Sequence, residues 1–188
     1  MKQILSESQT AFFTNHGFIE FEIPHRLPAV SAQRDQWRDD DGLKQFILKT
    51  LGPVALALTH KKQLRLGVSL WVTGANRPKQ AGKLKEWVSL QNIAMAISLA
   101  PHPTIPAKRS SLGILPLPAH AEQALFFRPD LILDWPHVSS DLFLILFTLP
   151  NGVYIHNPKD PETTYLKALG IQYGDVLQNA THPLIHEK

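Results

Sequence analysis

Fifteen prolines interrupt a chain of 188 residues whose apolar side chains come in short runs, and that combination limits the fold more than any other feature. From residue 54 onward the apolar or alternating runs cover 54–59, 64–73, 88–99, 112–117, 131–133, 142–148, 153–155 and 167–173, separated by Pro, Gly, Asn and Asp. Runs of this length bounded by turn residues read as strands. A parallel sheet needs a crossover of a dozen or more residues, usually helical, between successive strands, and the spacing leaves no room for them. Proline also removes a donor from helix interiors, which argues against a bundle. The sequence therefore predicts an α+β, mainly β chain: a two-sheet jelly roll behind an N-terminal helical buttress.

The buttress occupies residues 1–53. A helix is predicted over 6–17, with Ser6 or Ser8 as its cap and Gly17 at its end. Residues 18–23 (FIEFEI) alternate apolar and acidic side chains, the period of a half-buried strand. A polar loop with a short helix near Trp37 follows, then a helix over 41–51 whose first carboxylates suit the helix dipole and which Gly52-Pro53 is expected to stop. The predicted organisation is one domain, 1–188, with the jelly roll over 54–175, a tail over 176–188 and a surface loop at 101–111.

Composition excludes more than it selects. Apolar residues at 44% and charged residues at 19% are ordinary for a globular domain and wrong for a disordered one. The absence of cysteine removes disulfides, thiolate metal sites and cysteine nucleophiles. A net charge of +3 from scattered basic residues is too small and diffuse to mark a nucleic-acid surface. The first residues, MKQILSESQT, lack the apolar core of roughly 7–15 residues that a signal peptide needs, and no apolar run reaches the roughly 18 residues of a membrane span. The expected location is cytoplasmic, away from any membrane.

Several segments together are similar to the phytanoyl-CoA dioxygenase branch of the Fe(II)/2-oxoglutarate-dependent dioxygenases. FFTNHGFIEFEI resembles the opening of that branch, and LKQFILKTLGPVALALT its helix ending in Leu-Gly-Pro. IAMAISLAP with LGILPLPAHA resembles a strand pair of its double-stranded β-helix, SDLFLILF the strand before the distal histidine, and KALGIQYG the strand bearing the cosubstrate arginine. The resemblance implies a cupin-like double-stranded β-helix around a central cleft. It also implies a metal held by two histidines and one carboxylate, the His and carboxylate two residues apart so that strand alternation points both to one side.

The residues depart from that pattern. The segment before IAMAISL, where the pair belongs, reads Glu86-Trp87-Val88-Ser89. The chain's His-x-carboxylate, His120-Ala121-Glu122, falls at a different place, and His60 is followed by two lysines. Counting along the strand from Asp141 puts Asn151 at the distal ligand position. Counting back ten residues from Lys167, which stands where the arginine is usual, picks His156 instead. Lys167 would meet a carboxylate of 2-oxoglutarate as a point charge rather than a bidentate fork. His182 and His186 have a metal-like spacing, but Pro183 breaks the helix that would align them, and the segment reads as a frayed tail. Trp71, Trp87 and Trp135 read as core or pocket-wall residues.

The expectation is thus a dioxygenase-like scaffold that has lost iron-dependent catalysis and acts in binding or regulation, with a small organic acid or a protein in its cleft and no cofactor. An active oxygenase using Fe(II), 2-oxoglutarate and non-standard ligands is one alternative. A small basic, metal-responsive DNA-binding regulator is another.

Overall fold

A computed structural model describes residues 5–23, 28–101, 112–120 and 122–187. The predicted loop at 101–111 falls outside them from 102 onward, as does His25. Helix α1 (Glu7–His16) opens with the capping box the sequence allows: the Ser6 side chain accepts from Gln9 N–H, and the Gln9 side chain accepts from Ser6 N–H. The alternating FIEFE segment forms β1 (Phe18–Glu22). The short helix at Trp37 is a 3₁₀ turn, Gln36–Arg38.

The expected stop at Gly52-Pro53 does not occur. Helix α2 (Asp41–Phe46), capped by the Asp40 side chain on Leu43 N–H, runs through a π turn (Ile47–Leu51) into α3 (Gly52–Thr59). In the wide turn Gly52 N–H bonds back to Ile47 C=O, and Pro53 sits in the first turn of α3, where its missing N–H costs nothing. Residues 54–59, predicted as a strand, therefore lie in a helix. A Cβ at Gly52 would come within 2.6 Å of Ile185 Cδ1, so a larger residue there would require the Ile185 side chain to shift.

The remaining strands are β2 (Gln63–Val72), β3 (Gly82–Lys83), β4 (Leu90–Leu99), β5 (Gln123–Phe127), β6 (Ile132–Leu133), β7 (Leu142–Tyr154) and β8 (Leu184–His186). Six form one antiparallel sheet in the order β1-β5-β4-β7-β2-β8. The second sheet is a short pair, β3-β6, extended by an isolated bridge between Ile114 and Leu133, which is as far as the strand predicted at 112–117 goes among the described residues. Residues 142–148 and 153–155, predicted as two strands, join in β7. Its residues 149–152 bulge out opposite the single residue Asn92 of β4. The predicted strand at 167–173 is instead the end of a 3₁₀ helix (Tyr165–Leu169) and a turn. The predicted C-terminal tail supplies β8.

Both faces of the large sheet are buried, which explains its nearly continuous apolar runs. One face, with Met95, Ile97, Phe126, Phe143, Ile145 and Phe147, packs against α1–α3. The other, with Val68, Leu70, Ala96, Leu125, Leu144 and Leu146, packs under the β3-β6 layer. A β-bulge at Gly67 lets β2 serve both clusters. Leu66 pairs with Phe147 and Val68 with Leu146, so Leu64 and Leu66 face the helices while Val68, Leu70 and Val72 face the other way.

A Cβ at Gly67 would lie 3.1 Å from Leu146 O and 3.1 Å from Leu90 Cδ1. Gly67→Val is expected to cost about 1–3 kcal/mol through this crowding, seen as a lower urea midpoint with an unchanged m-value.

Candidate functional site

The charged residues of the loop before α2 do not stay in solvent. Arg34 is 6% exposed and Asp35 0%. Arg34 donates from both terminal nitrogens to Asp160, at 3.0 and 3.2 Å, an ion pair 4% exposed on the aspartate side. Asp160 also accepts from Ser89 N–H at 2.9 Å and Glu162 N–H at 3.0 Å. Burial alone would raise the pKa of Asp160, but the Arg34 hydrogen bonds and charge, helped by these amides, hold it below the usual carboxylate range. Asp35 accepts from Ser69 N–H at 2.7 Å, from the Trp37 indole at 3.2 Å and from Arg38 at 2.9 and 3.1 Å. Burial wins at Asp35, whose pKa is raised despite Arg38.

Arg38 carries the network on to His182. Its Nη2 lies 2.9 Å from His182 Nε2. A guanidinium only donates, so Nε2 must accept and the hydrogen sits on Nδ1, which donates to Thr181 Oγ1 at 2.9 Å. Burial, then the Arg38 and Arg65 charges, push the His182 pKa down to about 3. Arg65 holds the same segment through His182 C=O and Asn179 Oδ1 and ties it to β7 through Pro150 C=O. The stretch read as a frayed tail is locked from two sides, and His182 is a neutral acceptor pointing at a cation.

The residues singled out from the sequence lie elsewhere. His156 and Lys167 do come together, around the ring of Tyr173. The His156 ring stands edge-on to it with centroids 5.2 Å apart, and Lys167 Nζ lies 4.0 Å from its centroid. Both are exposed. Behind Tyr173, the Tyr154 ring is tilted against it at 4.8 Å, and both hydroxyls donate to Thr163 C=O. Burial and the Tyr173 hydroxyl push the Tyr154 pKa up to about 12, so it stays protonated. Asn151 is exposed in the β7 bulge, where its carbonyl accepts from Asn92 Nδ2 at 2.9 Å. His120 and Glu122 are exposed at the start of β5. Buried Asp134 holds His137 Nδ1 at 2.8 Å, a pair the sequence reading did not connect.

Residues 86–89, where the sequence resemblance would put the His and carboxylate pair, run into the core. Trp87 is buried against Trp135, with centroids 5.0 Å apart, Val88 joins the same cluster, and Ser89 is turned to Asp160. Among the described residues no three His, Asp or Glu side chains gather as a metal ligand set. His156, Asn151 and Lys167 offer an imidazole, a carboxamide and an ammonium, a donor set without the carboxylate that a two-histidine, one-carboxylate iron site requires. A cavity of about 80 Å³ lies between β1 and residues 114–119, lined by Phe18, Glu20, Ile114, Leu117 and Leu125. It is far smaller than the roughly 300–1,000 Å³ of a small-molecule site.

The sequence matches no family model and no curated protein. The fold has solved counterparts. It is similar to SnoK, a non-heme alpha-ketoglutarate-dependent carbocyclase from nogalamycin biosynthesis, at 14% identity and a TM-score of 0.66, covering 98% of both chains. It is similar to SnoN, a non-heme alpha-ketoglutarate-dependent epimerase from nogalamycin biosynthesis, at 12% identity and 0.66, covering 96% of this chain and 98% of the other. SnoN in complex with Fe3+, alpha ketoglutarate and nogalamycin RO matches at 11% identity and 0.63, covering 95% and 97%. The chain thus has a fold like that of Fe/2-oxoglutarate-dependent enzymes. At these identities the likeness carries the fold and singles out no branch.

The locks make two predictions. Between pH 6.5 and about 3 the unfolded chain protonates His182 and the folded one does not, so stability falls as the pH drops below 6.5, by up to about 1.4 kcal/mol per pH unit. In urea melts at pH 7 and pH 5, the wild type is expected to lose about 2 kcal/mol more than His182→Gln; parallel losses would refute the assignment. Asp160→Asn leaves a buried guanidinium unpaired and is expected to cost about 3–5 kcal/mol, read from the same melts.

Proposed function

We propose that this protein uses an Fe/2-oxoglutarate oxygenase-type scaffold, with the strand plan of a double-stranded β-helix, for binding or regulation and not for iron-dependent catalysis. One observation supports the reading: residues Glu86–Ser89, where the sequence resemblance would put the His and carboxylate pair, hold no histidine, and Trp87 and Val88 there are buried. A pair two residues apart there would replace either Trp87, whose buried indole is tilted against Trp135, or Val88, which is 1% exposed. The residues nearest the pattern at its distal end, His156 and Lys167, attach to Tyr173 at the surface.

Fold likeness does not settle activity, because one scaffold hosts many functions and the chemistry lives in its side chains. What this scaffold retains is a rigid sheet, buried on both faces, with its polar residues gathered on the segments that frame one end. Such an object can present a surface to a small acid or a partner protein without turning either over.

Anaerobic titration with ferrous iron and 2-oxoglutarate tests the reading. The expected outcome is no charge-transfer absorption and no rise in melting temperature. A saturable absorption band at one iron per chain would overturn it.

A further inference from the structure

We propose that Asn151-Gly152, in the β7 bulge, is a site of spontaneous backbone modification: Asn151 converts to aspartate and isoaspartate, and the isoaspartate form loosens the C-terminal segment from β7. Of the six asparagines in the chain, Asn151 is the one followed by glycine. Glycine leaves its own amide nitrogen uncrowded by a Cβ and lets the backbone reach conformations that other residues resist. The fold demands this glycine. Gly152 is buried, and a Cβ there would overlap Thr148 Oγ1 and lie 2.7 Å from Thr148 Cβ. The bulge thus imposes the susceptible pair.

Asn151 is exposed, and residues 149–152 stand out of the ladder opposite Asn92. Its backbone carbonyl takes the bond from Asn92 Nδ2, while its carboxamide has no hydrogen-bond partner among the described residues. The other asparagines are held. Asn76 accepts from Thr73 N–H and donates to Trp71 C=O, Asn92 donates to Asn151 C=O, and Asn179 accepts from Arg65. Asn157 donates to Val88 C=O and precedes Pro158, whose nitrogen carries no hydrogen. Asn15 lies in the last turn of α1, where the following amide belongs to the helix.

The reaction needs only water. The deprotonated Gly152 nitrogen attacks Asn151 Cγ, a C–N bond closes a succinimide ring, the Cγ–Nδ2 bond breaks, and ammonia leaves with the proton. Water then opens the ring at either carbonyl. Attack at Cγ gives aspartate, and attack at the main-chain carbonyl gives isoaspartate, whose backbone runs through Cβ and Cγ. Arg65 donates to Pro150 C=O at 3.1 Å, so a guanidinium stands beside the bulge, where its charge favours the amide anion.

Isoaspartate inserts one methylene into the main chain between two sets of ties. Before it come the Arg65 bond to Pro150 C=O and the Asn92 bond. After it come Leu177 N–H to Gly152 C=O at 2.9 Å, the Val153–Val176 bridge and Tyr154 N–H to Asp175 C=O. The inserted group shifts one set against the other, and the Leu177 bond follows it directly. Aspartate adds the same charge without lengthening the chain.

The test incubates the full chain at mildly alkaline pH, maps its peptides by mass spectrometry, marks isoaspartate with an isoaspartyl methyltransferase, and measures amide hydrogen exchange on fresh and aged protein. Asn151 is expected to deamidate at least about tenfold faster than each other asparagine, a barrier difference of about 1.4 kcal/mol. The rate should fall at acid pH, and Asn151→Gln should stay unmodified. Exchange of the Leu177 amide is expected to quicken about tenfold in the isoaspartate form, the same barrier difference, and to stay unchanged in Asn151→Asp. Similar rates at all six asparagines, or no isoaspartate at 151, would overturn the site. Equal acceleration in Asn151→Asp would overturn the loosening by chain lengthening. None of these readouts involves iron, so they stand apart from the outcome of the ferrous titration.

Discussion

A buried ion pair between residues 126 positions apart organises this molecule: Arg34 on the loop before α2 and Asp160 on the segment after β7. Removing both charges from water costs several kcal/mol per ion, so such a pair persists only where good geometry and further hydrogen bonds repay that cost. Asp160 meets that condition with two guanidinium nitrogens and two backbone amides. The pair therefore fixes where the loop crosses the sheet and where the C-terminal segment turns. Asp35, the next residue, then lands on Ser69 N–H of β2 and on Arg38, which reaches His182. One geometric commitment thus sets the positions of Ser89, Thr163 and, through Thr163, the tyrosines above it.

Around that polar frame the sheet is mostly apolar, interrupted by buried Arg65, Ser69, Ser98 and Thr148. The bulge at Gly67 sorts β2 between the two clusters. Hydrocarbon covers most of both faces, and the buried charges Arg34, Asp35 and Asp160 lie on segments bordering the sheet, with Arg65 in β2 itself.

Much of the framework was legible in the sequence because it follows local rules. Ser6 and Gln9 announce a capping box, FIEFE a half-buried strand, and the alternation of 64–73 the strand β2. The failures have a common cause, which is that short apolar runs are compatible with either helix or strand until tertiary context decides. Residues 54–59 became helix because Pro53 starts a turn that the π geometry lets α2 feed. The run at 167–173 became a 3₁₀ turn because only Leu166 and Ile171 go inward, leaving Lys167 outside. Strand β5 went unseen, since its QALFF pattern is too short to stand out between prolines. In the site, His156 and Lys167 were noticed for their spacing, but Tyr173, which unites them, gave no signal. Arg34 and Asp160 lay in polar loops that read as solvated, and nothing local reveals a pairing across 126 positions.

The strand order also has a consequence for how the chain reaches its structure. Strand β1 pairs with β5 more than 100 positions on, and β2 with β8 about 120 positions on. The sheet's two outer strands and its main ion pair all join early sequence to late sequence. A growing chain can form α1, α2 and α3 as it emerges, yet it cannot cover β1 before β5 is made or complete the sheet before Leu184–His186 is made. Folding of this kind is slow for its size and leaves hydrophobic strands without neighbours in the interim. The period of greatest exposure to aggregation thus falls late, between the appearance of β7 and the arrival of Leu184–His186.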